Sequence, residues 1–244
     1  MSDSPIIELD SVDSTNNYAM RLIDADKAQP GLTICARRQS AGKGQRGRVW
    51  VDAHGESLLM SIIVRPGMEI RDQFLFSVAK ALAVAKVLQK LNKSWNLRIK
   101  WPNDIIINDK KAGGILIENI LRGSNWTHSI IGIGVNVNQE RMPEQLPNST
   151  SLRAATGKEY NIREIREQLR LQILANTVMP APAKTLLKQY NDLLFRKGEH
   201  QAFSNGGETW VTTIRGVKQD GALEVQLEDG TITQYYHGQV VWEW

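Results

Sequence analysis

Residues 39–50, QSAGKGQRGRVW, set Lys43, Arg46 and Arg48 among Gly42, Gly44 and Gly47 without one acid. Glycines at this spacing let backbone N–H groups turn toward an anion, and the three cations add full charges to such a cradle. A Walker loop is a different object, with Gly-x-x-x-x-Gly-Lys-Ser/Thr followed by a helix, whereas an apolar strand pattern follows here. Alone, the stretch reads as a solvated loop. Residues 100–118, KWPNDIIINDKKAGGILIE, add a second signal. Pro102 has a fixed φ and holds Trp101 extended, while Asn103 and Asp104 can bond local backbone. Lys110 and Lys111 follow a tight hairpin and precede Gly113 and Gly114, whose missing side chains weaken an apolar strand unless a backbone or a ligand comes close. A lysine there reads as a solvated hairpin residue or, if a ligand enters, as a fixed cation beside the opening. GIGVNVN, residues 132–138, repeats the theme, with Asn136 and Asn138 on one strand face.

The missing motifs narrow the chemistry. The chain has no His-x-x-x-His, no Cys-x-x-Cys and no Gly-x-Ser-x-Gly, and its histidines are scattered at His54, His128, His200 and His237. Protein-ligated zinc and serine-triad catalysis are therefore poor readings.

The elements that carry these residues are legible as a pattern. IIELD reads as a strand, and VDSTNNYAMRLI as a helix capped by Ser14 or Thr15, with Tyr18, Leu22 and Ile23 apolar and Pro30-Gly31 as its stop. LTICAR and SLLMSIIV read as strands, so the basic loop joins two strands. Over residues 73–91 the positions Phe74, Val78, Leu82, Ala85, Leu88 and Leu91 follow one helical face, with Asp72 at its start. LRIKW, DIIIN, AGGILIENIL and HSIIGIGVNVN are four β-rich runs separated by turn signals. Amphipathic stretches at 162–177 and 184–194 flank the connector MPAPA. Beyond Phe195, turn signals at Asn205-Gly206, Asp220-Gly221 and Asp229-Gly230 alternate with β-branched and aromatic runs, which predicts a small β-barrel or sandwich of about fifty residues. The expected fold class is α+β: a mixed sheet packed with helices over residues 1–194, then a small β unit over 195–244.

With 244 residues at 41% hydrophobic, the chain can bury one full core and a small second one. The five cations Arg37, Arg38, Lys43, Arg46 and Arg48 exceed the whole net charge of +4, so the positive charge is local. One basic loop suits one anionic ligand better than a nucleic-acid surface, which spreads its cations over a face. The single cysteine, Cys35, cannot form an internal disulfide, fits a reducing compartment, and is expected buried and inert. Neither a signal peptide nor an apolar run near the ~18 residues of a membrane span is present. A cytoplasmic protein without membrane contact is the expectation.

Taken in order, DSTN, RQSAGKGQRGRVW, KWPND, KKAGGILIE and GIGVNVN resemble the catalytic domain of a biotin protein ligase, and the β-rich tail resembles that family's Src-homology-3-like barrel. Family members that also repress transcription carry an N-terminal helix-turn-helix domain. Here twelve residues precede DSTN, so a monofunctional form is expected. The resemblance implies ATP-dependent formation of biotinyl-adenylate, followed by transfer of biotin to one lysine of a biotin carboxyl carrier domain such as that of acetyl-CoA carboxylase. It implies that Ser14, Thr15, Asn16 and Gln39 bond the biotin head group. Lys43, Gly44 and Gln45 belong to the loop closing over biotin and adenylate, and Lys111 meets the carboxylate and α-phosphate. Trp101, Asn103, Asp104, Gly114 and Asn136 fall in the nucleotide and metal region, and Arg46, Arg48 and Trp50 on the phosphate or adenine side. Magnesium is expected to be held mainly by the phosphates of ATP, with no protein ligands assigned. Where the family most often has Gly-Arg-Gly-Arg, this chain has Gly42-Lys43-Gly44-Gln45. Lys43 keeps a charge without the bidentate fork, while Gln45 loses one, so either Arg46 compensates or the adenylate is held less tightly.

The implied chemistry suits these residue types. Two unit charges about 4 Å apart repel by about 4 kcal/mol at an effective dielectric of 20, and a lysine between carboxylate and phosphate cancels such a repulsion. Lys111 is therefore the leading catalytic candidate. A carboxylate is already a nucleophile, so the first step needs no general base. In the second, Asp104 either accepts the proton of the carrier lysine or orients its amine. Hydroxyl and amide groups suit a neutral, polar ureido ring. The rivals are a lipoate-type acyl-adenylate ligase, a nucleic-acid-binding module using the basic loop, and a non-catalytic biotin-binding protein. No nucleic-acid partner is expected, and a homodimer is left open.

Overall fold

The computed structural model describes residues 4–51, 55–177 and 181–244. His54, Met179 and Pro180 of the expected connector, and the first three residues lie outside them. The larger unit runs β1 (Ile6–Val12), α1 (Thr15–Asp24), β2 (Thr33–Gln39), β3 (Ser57–Val64), α2 (Gln73–Leu91), β4 (Leu97–Lys100), β5 (Asp104–Ile107), β6 (Lys110–Arg122), β7 (Asn125–Asn136), α3 (Ile162–Leu174) and α4 (Ala183–Asp192). Its seven strands form one sheet in the order β1-β2-β3-β7-β6-β5-β4. The β1–β2 pair is parallel and every other pair antiparallel.

β3 is buried at all eight positions because it lies mid-sheet with helices on both faces. Leu58, Met60, Ile62 and Val64 join the core with α2 and α3, while Ile63 packs with Ile34 and Ile130 against Ala19 and Ile23 of α1. The period-two alternation of a strand thus feeds two separate apolar layers. α2 departs from the single-face expectation. Leu75, Phe76, Ala79, Ala81, Val84 and Val87 are buried as well as Val78, Ala85 and Leu88, whereas Phe74, Leu82 and Leu91 are half-buried. The helix meets the sheet, α3 and α4 together, so it is apolar nearly all round. α1 ends at Asp24, before the expected Pro30 stop, because Asp26 takes a left-handed φ of 51°. Ser14 occupies its N-cap position without a side-chain cap bond; α3, by contrast, is capped by the Asn161 side chain, which accepts from Arg163 N and Glu164 N.

The small unit is a five-stranded antiparallel sheet consistent with the Src-homology-3-like kind. It is built from β8 (His200–Ser204), β9 (Thr209–Val217), β10 (Leu223–Leu227), β11 (Ile232–Tyr235) and β12 (Val241–Trp242). The order is β11-β10-β9-β8-β12, which leaves β11 and β12 at its two edges. Gly206, Gly221 and Gly230 take φ near +90° at the three expected turns, a conformation glycine adopts without steric cost. Leu193 and Phe195 bond to both backbone groups of Ile99 at 2.8 and 2.9 Å, covering the β4 edge of the large sheet. Phe203, Ile214, Val225 and Trp242 continue the same core, so the small sheet is docked rather than tethered. No described helix is long and apolar enough to cross a membrane.

Candidate active site

One cavity of about 540 Å³ opens between the two sheets, and every expected site residue except Asn136 lines it. Its neutral end is built at the start of α1, which packs on β2 and β3 so closely that Ser14, Thr15 and Asn16 are 1%, 4% and 3% exposed. The Thr15 N–H and hydroxyl donate to Gln39 Oε1 at 2.7 and 3.1 Å. Ser61 Oγ lies within hydrogen-bond distance of both Thr15 Oγ1 and Asn16 Oδ1 and has one proton to give, and Asn16 Nδ2 donates to Glu118 Oε2 at 2.7 Å. A Cβ at Gly132 would sit 2.3 Å from Asn16 Oδ1, so the strand glycine makes room for that amide. Hydroxyls and amides already oriented by one another suit a small polar, uncharged group.

The cationic end comes from β5, β6 and the basic loop. Lys111 Nζ lies 2.7 Å from Asp104 Oδ1 and 5.9 Å from the centre of the Trp50 ring. The Trp50 indole lies so close to Gly134 that a Cβ there would meet it at 2.8 Å; its Nε1 is buried without a partner among the described residues. Lys43 pairs with Glu118 at 3.3 Å. Arg46, at φ 54°, donates from Nη1 to the Gly238 carbonyl at 3.1 Å. Part of the loop's backbone is used internally. Gly44 N, Arg48 N and Trp50 N bond within the loop, to Arg48 O, Gln45 O and Gly42 O.

Asn136 lies outside the cavity lining. Its Nδ2 donates to Thr150 O at 3.0 Å, and its carbonyl accepts from Leu152 N. Lys111 N and O bond to Asn148 O and Thr150 N, so Asn136 braces the segment that flanks Lys111. Asn103 likewise bonds backbone, giving Nδ2 to Ile115 O and accepting from Ile115 N. Tyr190 is fully buried and donates to Pro102 O at 2.9 Å, and burial holds its phenol well above the ordinary value.

Lys100, His237, Gly238, Trp242 and Trp244 also line the cavity and were not assigned a role from the sequence. Lys100 lay within a quoted motif; the other four lie in the small unit, more than 100 residues away in the chain, where no local spacing marks them. Trp101 bridges the units, donating from Nε1 to Gly221 O at 3.0 Å, with its ring edge-on to His237 at 5.7 Å. Burial first, then Arg46 and Arg48, lower the His237 pKa. Among the described residues, no group of three His, Cys, Asp or Glu side chains is placed to hold a metal ion. Away from the cavity, Cys35 is 7% exposed, and burial pushes its thiol up to about 11.

The chain as a whole is similar to known proteins. Residues 8–136 match the model of the Biotin/lipoate A/B protein ligase family, and the chain belongs to that family. It is 36% identical over 159 residues to the bifunctional ligase/repressor BirA of Bacillus spizizenii, covering 64% of this chain and 48% of that protein. It is 32% identical over 237 residues to the biotin-protein ligase of Homo sapiens, covering 87% of this chain and 31% of the human one. The match thus spans about half the length of the Bacillus relative, and less of the human one. Among solved structures, the biotin protein ligase from Aquifex aeolicus in complex with biotin and ATP superposes with a TM-score of 0.80 at 26% identity, covering 98% of both chains.

Proposed function

We propose that this chain joins biotin to AMP at the expense of ATP and passes the biotinyl group to a lysine of a biotin carboxyl carrier domain. The observation that carries the reading is the meeting, in one cavity, of the Ser14-Thr15-Asn16-Gln39 set and the Lys111–Asp104 pair. The first offers donors and acceptors to a ureido head group; the second sets a cation where the acid tail and the α-phosphate must meet despite their repulsion. Lys43, Gly44 and Gln45 close the biotin side. Arg46, Arg48, Trp50, Trp101, Asn103 and Gly114 form the nucleotide side, and Asn136 supports it through segment 148–152. In the second step Asp104, freed from Lys111 by the reacting phosphate, orients the carrier amine or takes its proton. Magnesium riding on the triphosphate would neutralise part of its charge. The division at 194/195 assigns the catalytic groups to the first unit and a wall of the nucleotide end to the second.

Exchange of labelled pyrophosphate into ATP tests the reading. Exchange that requires biotin is expected; exchange driven by lipoate alone moves the substrate to the other branch of the family, and no exchange with either acid removes the adenylating function.

A further inference from the structure

Lys100 is a buried cation without a close ion pair among the described residues. The residue is 7% exposed, yet among the described residues no carboxylate lies within ion-pair distance of it and no hydrogen bond satisfies its ammonium. Two indoles flank it instead, with Nζ 4.8 Å from the centre of the Trp242 ring and 5.0 Å from that of Trp244. Indole faces attract a cation but supply no acceptor for the three N–H donors of a lysine. Lys100 lines the cavity, so its remaining exposure opens there. Two other lysines of the cavity are engaged, Lys111 with Asp104 and Lys43 with Glu118. Burial lowers the Lys100 pKa to about 8, with Asp104 and, less, Glu243 opposing and Lys111 and Arg48 acting in the same direction, so the charge is still largely present at neutral pH.

We propose that Lys100, clasped between Trp242 and Trp244, is the anchoring site for the pyrophosphate that leaves ATP in the adenylation step. The proposal rests on the adenylating function inferred above. In that step a carboxylate oxygen of the acid bonds to the α-phosphorus, the bond from that phosphorus to its bridging oxygen breaks, and the pyrophosphate departs with the electron pair on that oxygen. Charge therefore grows on two sides, at the α-phosphate and on the leaving group. Lys111 serves the first and Lys100 the second. A desolvated ammonium stabilises such charge far more than one in water, and the indoles keep water from its far side.

The clasp is itself braced. Asn148 Nδ2 bonds to the Trp244 carbonyl, and the Trp244 ring meets Phe195 edge-on at 5.3 Å. Asn148 also accepts from Lys111 N, so the segment behind Lys111 and the clasp on Lys100 share one anchor. The small sheet thus contributes a side of the leaving-group site.

Biotin-dependent pyrophosphate exchange, run on the wild type and on Lys100→Met, Lys100→Arg and Trp244→Leu, decides the matter. In Lys100→Met the KM for pyrophosphate rises about tenfold or more, as loss of one charge-assisted contact implies. The KM for biotin stays within about twofold, and Lys100→Arg recovers most of the loss. Trp244→Leu, at a position 36% exposed, raises the pyrophosphate KM by a smaller factor without unfolding the chain. Exchange in Lys100→Met with an unchanged pyrophosphate KM, or with both KM values raised alike, overturns the anchoring site and leaves the adenylating function standing. If Lys100→Met does not fold, an unchanged pyrophosphate KM in Trp244→Leu overturns the clasp. Wild-type protein without biotin-dependent exchange overturns both.

Discussion

Lys111 and Asp104 approach to 2.7 Å with side chains 34% and 20% exposed, so solvent screens the pair and its contribution to stability is small. Their use lies in placing a positive charge on a strand whose partner strands hold it fixed. Lys111→Ala should therefore unfold within a few degrees of the wild type, while biotin-dependent exchange falls about 100-fold or more, the loss typical of one preorganised charge contact. A variant that loses its fold together with its activity would make Lys111 a structural residue. Lys111 was singled out by the resemblance, because a lysine at a hairpin before paired strand glycines reads by itself as readily as a solvated one. Asn136 was half legible: its strand face followed from the period of two, but its bond to Thr150 depends on a segment whose approach no local pattern records. Lys100 was read over because a lysine ending a short strand is ordinary until two tryptophans from the far end of the chain surround it.

At the scale of elements, α2 carries a lysine where its neighbours are apolar. Lys80 is 0% exposed, lies 4.3 Å over the Phe76 ring, and donates to the carbonyl of Asn176, just beyond the end of α3. It ties two helices together and complements the negative end of α3. Burial lowers its pKa from 10.5 to about 7. Between those values the unfolded chain holds the proton that the folded chain releases, so stability rises with pH through that window and is lowest below it. Cys35 acts oppositely above pH 9, where its thiol ionises in the unfolded chain but is held protonated to about 11 when folded. Guanidinium unfolding between pH 7 and 9 should show stability increasing, with a flatter slope in Lys80→Met. Equal slopes in the two proteins would remove Lys80 as the cause. Boundaries such as Gln73–Leu91 and Ser57–Val64 were readable because long apolar runs and turn residues mark them locally. The all-round burial of α2 was not, since it arises from α3 and α4, whose packing against that helix leaves no period in its own sequence.

At the scale of the whole molecule, the small sheet completes the cavity through contacts that span the chain. Trp101 reaches Gly221, Lys100 reaches Trp242 and Trp244, and Arg46 of the basic loop reaches Gly238. The last contact has a strict steric condition. Gly238 has φ +90°, and a Cβ there would lie 1.5 Å from Arg46 Cζ. The end of a long side chain can move aside, so Gly238→Ala should displace the guanidinium and release the loop while costing the fold only the strain of a left-handed alanine, about 1–2 kcal/mol. The glycines of the loop make its unbound ensemble large, and biotin with ATP gives its cations partners, so ligands should order it. Trypsin reads this directly at Lys43, Arg46 and Arg48. Wild-type protein should be cut there without ligands and protected by biotin plus ATP, whereas Gly238→Ala should stay sensitive with both present, because the loop lacks its fastening to the second sheet. Equal cleavage of the wild type in both states would refute ligand-driven ordering, and full protection of Gly238→Ala would show that the loop closes without the small sheet.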